Sequence, residues 1–271
     1  MIIGQVDLKE KIDKLITRFP RFSIVVGPEG SGKKEICKYI CNKLSIPLVK
    51  YSQKIDDVRE AITVSYEQTE PICYLFADAD DMSLAAKNCL LKITEEPPKN
   101  AYFIITLKSL ENTLPTIKSR GTVLNLDVYS KQEIIDYRKY RKYNESNDNL
   151  VYHICDTTGE VDELFKCDIP GFYKYATNIV DFIHKVNSGN IFKISKQMKL
   201  KDTESGYDPI LLFKTVRNLY IQKAKELGIK EYLLASNVTS ECIRDLRLQT
   251  VSRQATIDMW IMNVRSVLRG V

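Results

Sequence analysis

The residues whose types and spacing could do chemistry begin at Gly27-Pro28-Glu29-Gly30-Ser31-Gly32-Lys33-Lys34. This stretch follows the apolar run Phe22-Ser23-Ile24-Val25-Val26 and opens a helical pattern through Ile36, Tyr39, Ile40 and Leu44. Strand, glycine-rich turn and helix, in that order, make the setting of a phosphate-binding loop. The glycines let successive N–H groups turn inward to an anion, and the helix N-terminus adds partial positive charge. Lys33 is placed to reach the outer phosphates. The next position calls for Ser or Thr, whose hydroxyl holds Mg²⁺. Lys34 stands there instead, and an ammonium has no lone pair for a metal. The expectation is a weak or vestigial site for ATP or ADP, with Mg²⁺ only where nucleotide binds.

Other chemistry-bearing residues are fewer. Asp78-Ala79-Asp80-Asp81 closes an apolar run. Neighbouring side chains at a strand end diverge, so a solvated acidic loop is the commoner outcome than a metal trio. Ser119-Arg120 precedes a further apolar run. The seven cysteines include no C-x-x-C pair, and there are two histidines, so zinc patterns fail and no zinc is expected. Cys37 and Cys41 share a helix face and read as reduced core cysteines. Tyr137-Arg138-Lys139-Tyr140-Arg141-Lys142-Tyr143 mixes cations with aromatics; a solvated helix face with tyrosines packed inward is the simpler reading than a DNA contact. Trp260, with Met259 and Met262, reads as helix core.

The elements that must position these residues follow from periodicity. Residues 5–18 carry an amphipathic helical pattern through Val6, Leu8, Ile12, Leu15 and Ile16. Strands are predicted at 22–26, 46–51, 72–77, 102–106 and 123–126. Helices are predicted at 56–68 and 83–94, with a short turn at 115–118. Ile72-Cys73-Tyr74-Leu75-Phe76-Ala77 is continuously apolar, as a strand buried on both faces would be. This alternation predicts an α/β parallel sheet with helices on both faces, and ligands in such sheets bind at the carboxyl ends of the strands. The Gly27 loop and the Asp78 cluster both fall there.

After Asp127 the pattern becomes helical only. Ser130 caps a helix through Tyr143, with Glu133 in the capping-box position. Shorter helices follow at 150–156 and 159–166, and Asp168-Ile169-Pro170-Gly171 reads as a linker. Further helices are predicted at 172–186, 190–199, 208–227, 229–235, 238–249 and 252–269. The predicted domains are 1–127, 128–171 and 172–271.

Composition bounds the classes. A chain of 271 residues with 44% hydrophobic and 28% charged residues fits a protein of two or three modest domains with real cores. No apolar run approaches the roughly 20 residues of a membrane span. Met1-Ile2-Ile3-Gly4-Gln5 lacks a basic leader, so a cytoplasmic protein with no membrane partner is expected. The net charge of +5 permits a nucleic-acid partner without requiring one.

Residues 74–121 carry a family resemblance. Tyr74-Leu75-Phe76-Ala77-Asp78-Ala79-Asp80-Asp81-Met82 is followed by Ala85-Ala86-Lys87-Asn88-Cys89-Leu90-Leu91-Lys92, then Glu95-Glu96-Pro97-Pro98, Phe103-Ile104-Ile105-Thr106 and Leu114-Pro115-Thr116-Ile117-Lys118-Ser119-Arg120. This combination resembles sliding-clamp loader subunits of the AAA+ class, and most of all the bacterial DNA polymerase III gamma/tau and delta-prime subunits. The resemblance implies an AAA+ P-loop domain, a small helical lid and a helical collar for oligomerisation. It implies that Lys33 is the phosphate-contacting lysine and that Lys34 replaces the Mg²⁺-holding hydroxyl. Counted back from Met82, Ala77 takes the place of the metal-supporting Asp and Asp78 that of the water-activating Glu. A slip of one makes Asp78 the metal partner and Ala79 the missing base. Thr106 lies near the polar sensor. In Gly159-Glu160-Val161-Asp162, Asp162 stands near the place of an arginine sensor.

Ser119-Arg120 matches the family's trans arginine finger, with Gly121 in place of the usual Cys, and a looser backbone is expected there. The implied function is a delta-prime-like, largely non-hydrolysing clamp-loader subunit in DNA replication that donates Arg120 to a neighbour's ATP. The implied partners are a gamma/tau-like motor and a delta-like wrench, and through them the sliding clamp and primer-template DNA. The alternative is a gamma/tau-like subunit that hydrolyses ATP itself.

Overall fold

The protein is described from a computed structural model, which places residues 4–144, 148–185, 195, 196, 198, 200, 206–248 and 252–269. The chain divides into two compact units: Met1–Arg141 with Asp156–Gly159, and Lys142–Cys155 with Glu160–Val271.

The first unit is built on five parallel strands, β1 (Phe22–Val26), β2 (Leu48–Tyr51), β3 (Ile72–Phe76), β4 (Ala101–Leu107) and β5 (Thr122–Asn125), in the order β2-β3-β4-β1-β5. α1 (Val6–Leu15) precedes the strands, and between them run α2 (Lys33–Leu44), α3 (Ile55–Glu67), α4 (Leu84–Glu95) and α5 (Pro115–Arg120). Strand side chains alternate between faces, and the core divides accordingly. Phe22, Ile24, Tyr74, Phe76, Phe103 and Ile105 pack with Val58 and Ala61 of α3 and with Ala86, Leu90 and Ile93 of α4. Val25, Cys73, Leu75, Ile104 and Leu124 pack on the other face with Leu8 and Ile12 of α1 and with Ile36, Cys37, Ile40 and Cys41 of α2. Both faces of the inner strands are thus covered by helices. This is the arrangement that a continuous apolar run requires. The buried cysteines sit in it as apolar side chains, and burial pushes the Cys37 thiol well above its ordinary value.

Two details in this unit differ from the sequence reading. The turn predicted at 115–118 is a helix to Arg120, so Ser119 and Arg120 lie in its last turn rather than at a strand start. Gly121 is also not a loosened backbone. It is extended (φ −88°, ψ 142°), and a Cβ there would lie 2.6 Å from Ile24 Cδ1. Glycine is needed so that the entry to β5 can lie against β1.

α6 (Lys131–Tyr140) starts with the expected capping box, in which Glu133 N–H donates to Ser130 Oγ and Ser130 N–H to Glu133 Oε2. Its inward positions are Ile134 and Arg138, one turn apart, while Tyr140 is exposed. The expectation of inward tyrosines holds only in part: Tyr137 is half-buried and Tyr143 stacks on Phe165 at 4.4 Å, while Tyr140 faces solvent.

The second unit is helical: α7 (Asp148–Ile154), most of α8 (Thr158–Leu164), α9 (Ile169–Lys185), α10 (Pro209–Leu227), α11 (Lys230–Leu248) and α12 (Arg253–Arg269). The linker expected at 168–171 is the start of α9, because Pro is tolerated in a first turn, where its missing N–H has no helical partner. The helices predicted at 229–235 and 238–249 are one, α11. Its internal Ser236 and Thr239 hydroxyls donate to Leu233 and Ala235 carbonyls within the helix, so they do not interrupt it. The helix expected at 190–199 falls outside the described residues except for Ser195 and Lys196, which are helical, and Met198, which lies in a bend. Trp260 is buried, edge-on to Phe213 at 4.7 Å, with Nε1–H donating to Thr239 Oγ1. Met259 and Met262 are exposed and take no part in that core.

Candidate functional site

The loop after β1 leaves the sheet between β4 and β5: Gly27 N–H donates to Leu107 O, and Leu126 N–H to Val26 O. Gly30 (φ 74°) and Gly32 (φ 87°) take left-handed conformations that a side chain would strain. Lys33 opens α2 and is buried, with Nζ 2.8 Å from both Gly27 O and Pro28 O. The phosphate-contacting lysine of the expected site therefore donates to its own loop. Burial lowers its pKa below the ordinary Lys value, and the charges of Asp78, Asp80 and Glu29 offset this only in part. Ser31 is buried beneath the same turn, its Oγ without a hydrogen-bond partner and facing Gly27.

Lys34 points to the acidic cluster. Its Nζ lies 2.9 Å from Asp78 Oδ2. Asp78 adopts a left-handed backbone (φ 56°, ψ 47°), and its N–H donates to the buried Thr106 Oγ1 at 2.8 Å. Of the two alignments of the acidic motif, Asp78 rather than Ala77 faces the position that should hold the metal's hydroxyl ligand. Asp80 turns away: both its oxygens accept from Lys108 N–H, and Oδ1 also accepts from Asn112 Nδ2. It caps the end of β4. Glu29 pairs with Lys108 at 3.3 Å. Among the described residues no three His, Cys, Asp or Glu side chains are grouped to hold a metal. Mg²⁺ demands a shell of oxygen ligands. A cation already stands between α2 and Asp78, so this set does not fit Mg²⁺.

The outer side of the loop is held by residues with no motif of their own. Gly159 N–H donates to Gly30 O at 2.9 Å, Thr158 Oγ1 lies 3.2 Å from the same oxygen, and Tyr129 O–H donates to Ser31 O at 3.0 Å. The approach is so close that a Cβ on Gly159 would lie 2.6 Å from Gly30 Cα. Gln5 adds a second tie. Its side chain exchanges hydrogen bonds with Asp127 N–H and O, and its N–H donates to Glu133 Oε1. None of these contacts was read from the sequence. The glycine that opens the 159–166 helical pattern was the available signal. In the second unit, Asp162 accepts from Tyr143 O–H at 2.9 Å.

Arg120 and Ser119 are not part of this assembly. The register pairs Ser23 with Thr122, so Arg120 lies at the amino end of β5 and the Gly27 loop at the carboxyl end of β1. The five residues of β1 separate them by about 16 Å at the usual strand rise. Arg120 cannot serve the loop of its own chain. Its Nη2 lies 2.9 Å from Glu95 Oε1, its Nη1 donates to Thr116 O, and Ser119 Oγ donates to the same carbonyl.

Residues 44–130 match the family model described as DNA polymerase III, delta subunit. The chain is 26% identical over 164 residues to DNA polymerase III subunit gamma of Buchnera aphidicola subsp. Acyrthosiphon pisum, covering 57% of this chain and 42% of that protein. It is 30% identical over 97 residues to DNA polymerase III subunit delta' of Haemophilus influenzae, covering 36% of this chain and 30% of that protein. The chain thus spans less than half the length of these relatives. Among solved structures it is similar to a DNA polymerase III gamma subunit-related protein of Thermotoga maritima, with TM-score 0.50, 18% identity and coverage of 95% and 98%. It is also similar to the Thermotoga maritima RuvB Holliday junction branch migration motor, with TM-score 0.51, 16% identity and coverage of 84% and 83%. These likenesses show an AAA+ fold of parallel sheet and helices. Over part of its length the chain is similar to the gamma and delta' subunits of DNA polymerase III.

Proposed function

We propose that this chain is a delta-prime-like subunit of the DNA polymerase III clamp loader, one that does not hydrolyse ATP and donates Arg120 to ATP bound by a neighbouring subunit. The observation that carries the reading is the Lys34–Asp78 ion pair at 2.9 Å. Hydrolysis in P-loop proteins relies on a metal bridging the β- and γ-oxygens and on a residue that orients water. Here the chain's own ammonium occupies the metal's side of the loop, and Thr106 Oγ1 is engaged by Asp78 N–H. The implied neighbours are a gamma/tau-like motor and a delta-like subunit, with the sliding clamp and primer-template DNA reached through them in the cytoplasm. Among the described residues no helix is long and apolar enough to cross a membrane.

The gamma relatives favour a second reading, an ATP-hydrolysing motor. A steady-state ATPase assay on the isolated chain separates the two. The delta-prime-like, non-hydrolysing reading (a stator) expects no hydrolysis above background, while turnover of roughly 1 per second, ordinary for an enzyme, would establish the motor. Titration with fluorescent ATP in Mg²⁺ and in EDTA gives a second test. Equal, weak binding in both supports the stator, and strong binding that needs Mg²⁺ overturns it.

A further inference from the structure

Glu95 is the last residue of α4, a position where the helix dipole disfavours a carboxylate. Its position there is therefore not explained by helix stability. Its Oε1 lies 2.9 Å from Arg120 Nη2, and Arg120 closes α5, the helix packed beside it. Thr116 O accepts from Nη1. The guanidinium has five N–H donors; one hydrogen-bonds to Thr116 O, and the contact with Glu95 is an ion pair. Both side chains are partly exposed, 37% for Arg120 and 55% for Glu95. The pair can therefore exchange partners at little cost.

Resting on the reading of Arg120 as a trans finger, we propose that Glu95 is its parking site, a carboxylate that neutralises Arg120 until a neighbour's phosphate displaces it. The chemistry requires displacement. A finger acts by setting a positive charge against negative charge that develops on the transferred phosphoryl group. With a carboxylate at 2.9 Å the pair is nearly neutral, and the carboxylate would itself repel the phosphate. Glu95 and the γ-phosphate thus compete for one guanidinium. Thr116 O does not compete, because it is uncharged and holds the opposite nitrogen in place. An exposed pair is weak and is weakened further by salt, so the competition sets a modest threshold rather than a lock. Free subunits carry the cation masked, and only a neighbour presenting a phosphate, with its greater charge, unmasks it.

The test uses the full chain assembled with its cognate gamma/tau-type ATPase subunit, and reads single-turnover ATP hydrolysis for wild type, Glu95→Gln, Arg120→Ala and the double variant. Glu95→Gln keeps the shape and a hydrogen bond but removes the charge. Parking predicts that it raises the rate, or lowers the ATP concentration for half-maximal rate, by about 2–5-fold, the range of an exposed ion pair. The gain should shrink as NaCl is raised, and the double variant should match Arg120→Ala. A fall in rate for Glu95→Gln, or no change at low salt, with Arg120→Ala still impaired, overturns parking and leaves the finger standing. Unimpaired Arg120→Ala overturns the finger, and parking with it. A loss of fold would appear as a lowered Tm in Glu95→Gln. Glu95→Asp, which keeps the charge, would then show whether hydrolysis follows charge or stability: a wild-type rate at a similarly lowered Tm supports parking, and a rate shifted as in Glu95→Gln overturns it.

Discussion

The two ends of one parallel sheet treat their cations differently. At the carboxyl end, Lys33 donates to two carbonyls of its own loop, Lys34 pairs with Asp78, and Gly30 O is taken by Gly159 and Thr158. At the amino end, Arg120 is held by one exposed carboxylate and one carbonyl. Freeing Lys33 means removing a buried ammonium from two acceptors at 2.8 Å. Freeing Arg120 means breaking a surface ion pair, worth ~0–1 kcal/mol. A group that must act on another molecule has to be cheap to release. By that measure Arg120, and not Lys33, is the cation that another molecule could readily take up.

The largest expected effect tests that contrast directly. In the complex with the motor subunit, Arg120→Ala should slow single-turnover hydrolysis at the adjoining site by roughly 10³-fold, the scale of a trans arginine. Lys33→Ala in the same complex should leave hydrolysis within about twofold, because its partners are internal. Equal losses in the two variants would erase the distinction between the ends.

The second effect is on stability. Gly159→Ala places a Cβ 2.6 Å from Gly30 Cα, backbone against backbone, where no side chain can yield. Overpacking of this kind costs about 1–3 kcal/mol and should appear as a lower Tm in thermal unfolding. A Tm unchanged from wild type would mean that the loop is not clipped to this segment.

The third is smaller and bears on the metal. Lys34→Thr restores a hydroxyl and removes an ion pair whose side chains are 50% and 35% exposed. Stability should change by no more than ~1 kcal/mol. Fluorescent ATP should bind more tightly in Mg²⁺ than in EDTA, while hydrolysis should stay at background if the reaction also needs a second acid. Recovery of hydrolysis by this single change would show that the ammonium alone had silenced the loop.

What the sequence disclosed follows from the reach of each interaction. Strands β1, β3 and β4 were legible because burial on both faces imposes an unbroken apolar run. Lys34 was legible as a misfit because a phosphate loop fixes residue types at adjacent positions. The capping box at Ser130 and Glu133 is local in the same way. The ties from Gly159 to Gly30, Tyr129 to Ser31 and Glu95 to Arg120 join residues 129, 98 and 25 positions apart. No local pattern encodes such pairs. The reading of α11 as two helices failed for a related reason: Ser and Thr favour breaks only when their hydroxyls have no helical carbonyl to use.

The smallest effect tests whether the loop end is held from outside the motif. Burial raises the Glu133 pKa, but hydrogen bonds from Ser130 N–H and Oγ–H and from Gln5 N–H, together with the charge of Lys9, outweigh it, and its folded pKa lies below the ordinary 4.5. A carboxylate depressed by folding adds stability above the unfolded pKa and loses it as pH falls through the folded one. The contribution should therefore be fully present from about pH 5 upward and disappear below pH 4.5. Glu133→Gln should lower stability at pH 7 by about 0.5–1 kcal/mol, the scale of a helix cap, and its urea midpoint should converge with that of wild type at acid pH. Because Gln5 also binds Asp127, beside the strand that adjoins the loop, the variant should loosen the Gly27 turn first. Hydrogen exchange at Gly27 and Leu126 would report it. A uniform rise in exchange across the sheet would mean that Glu133 stabilises the unit as a whole and does not brace the loop.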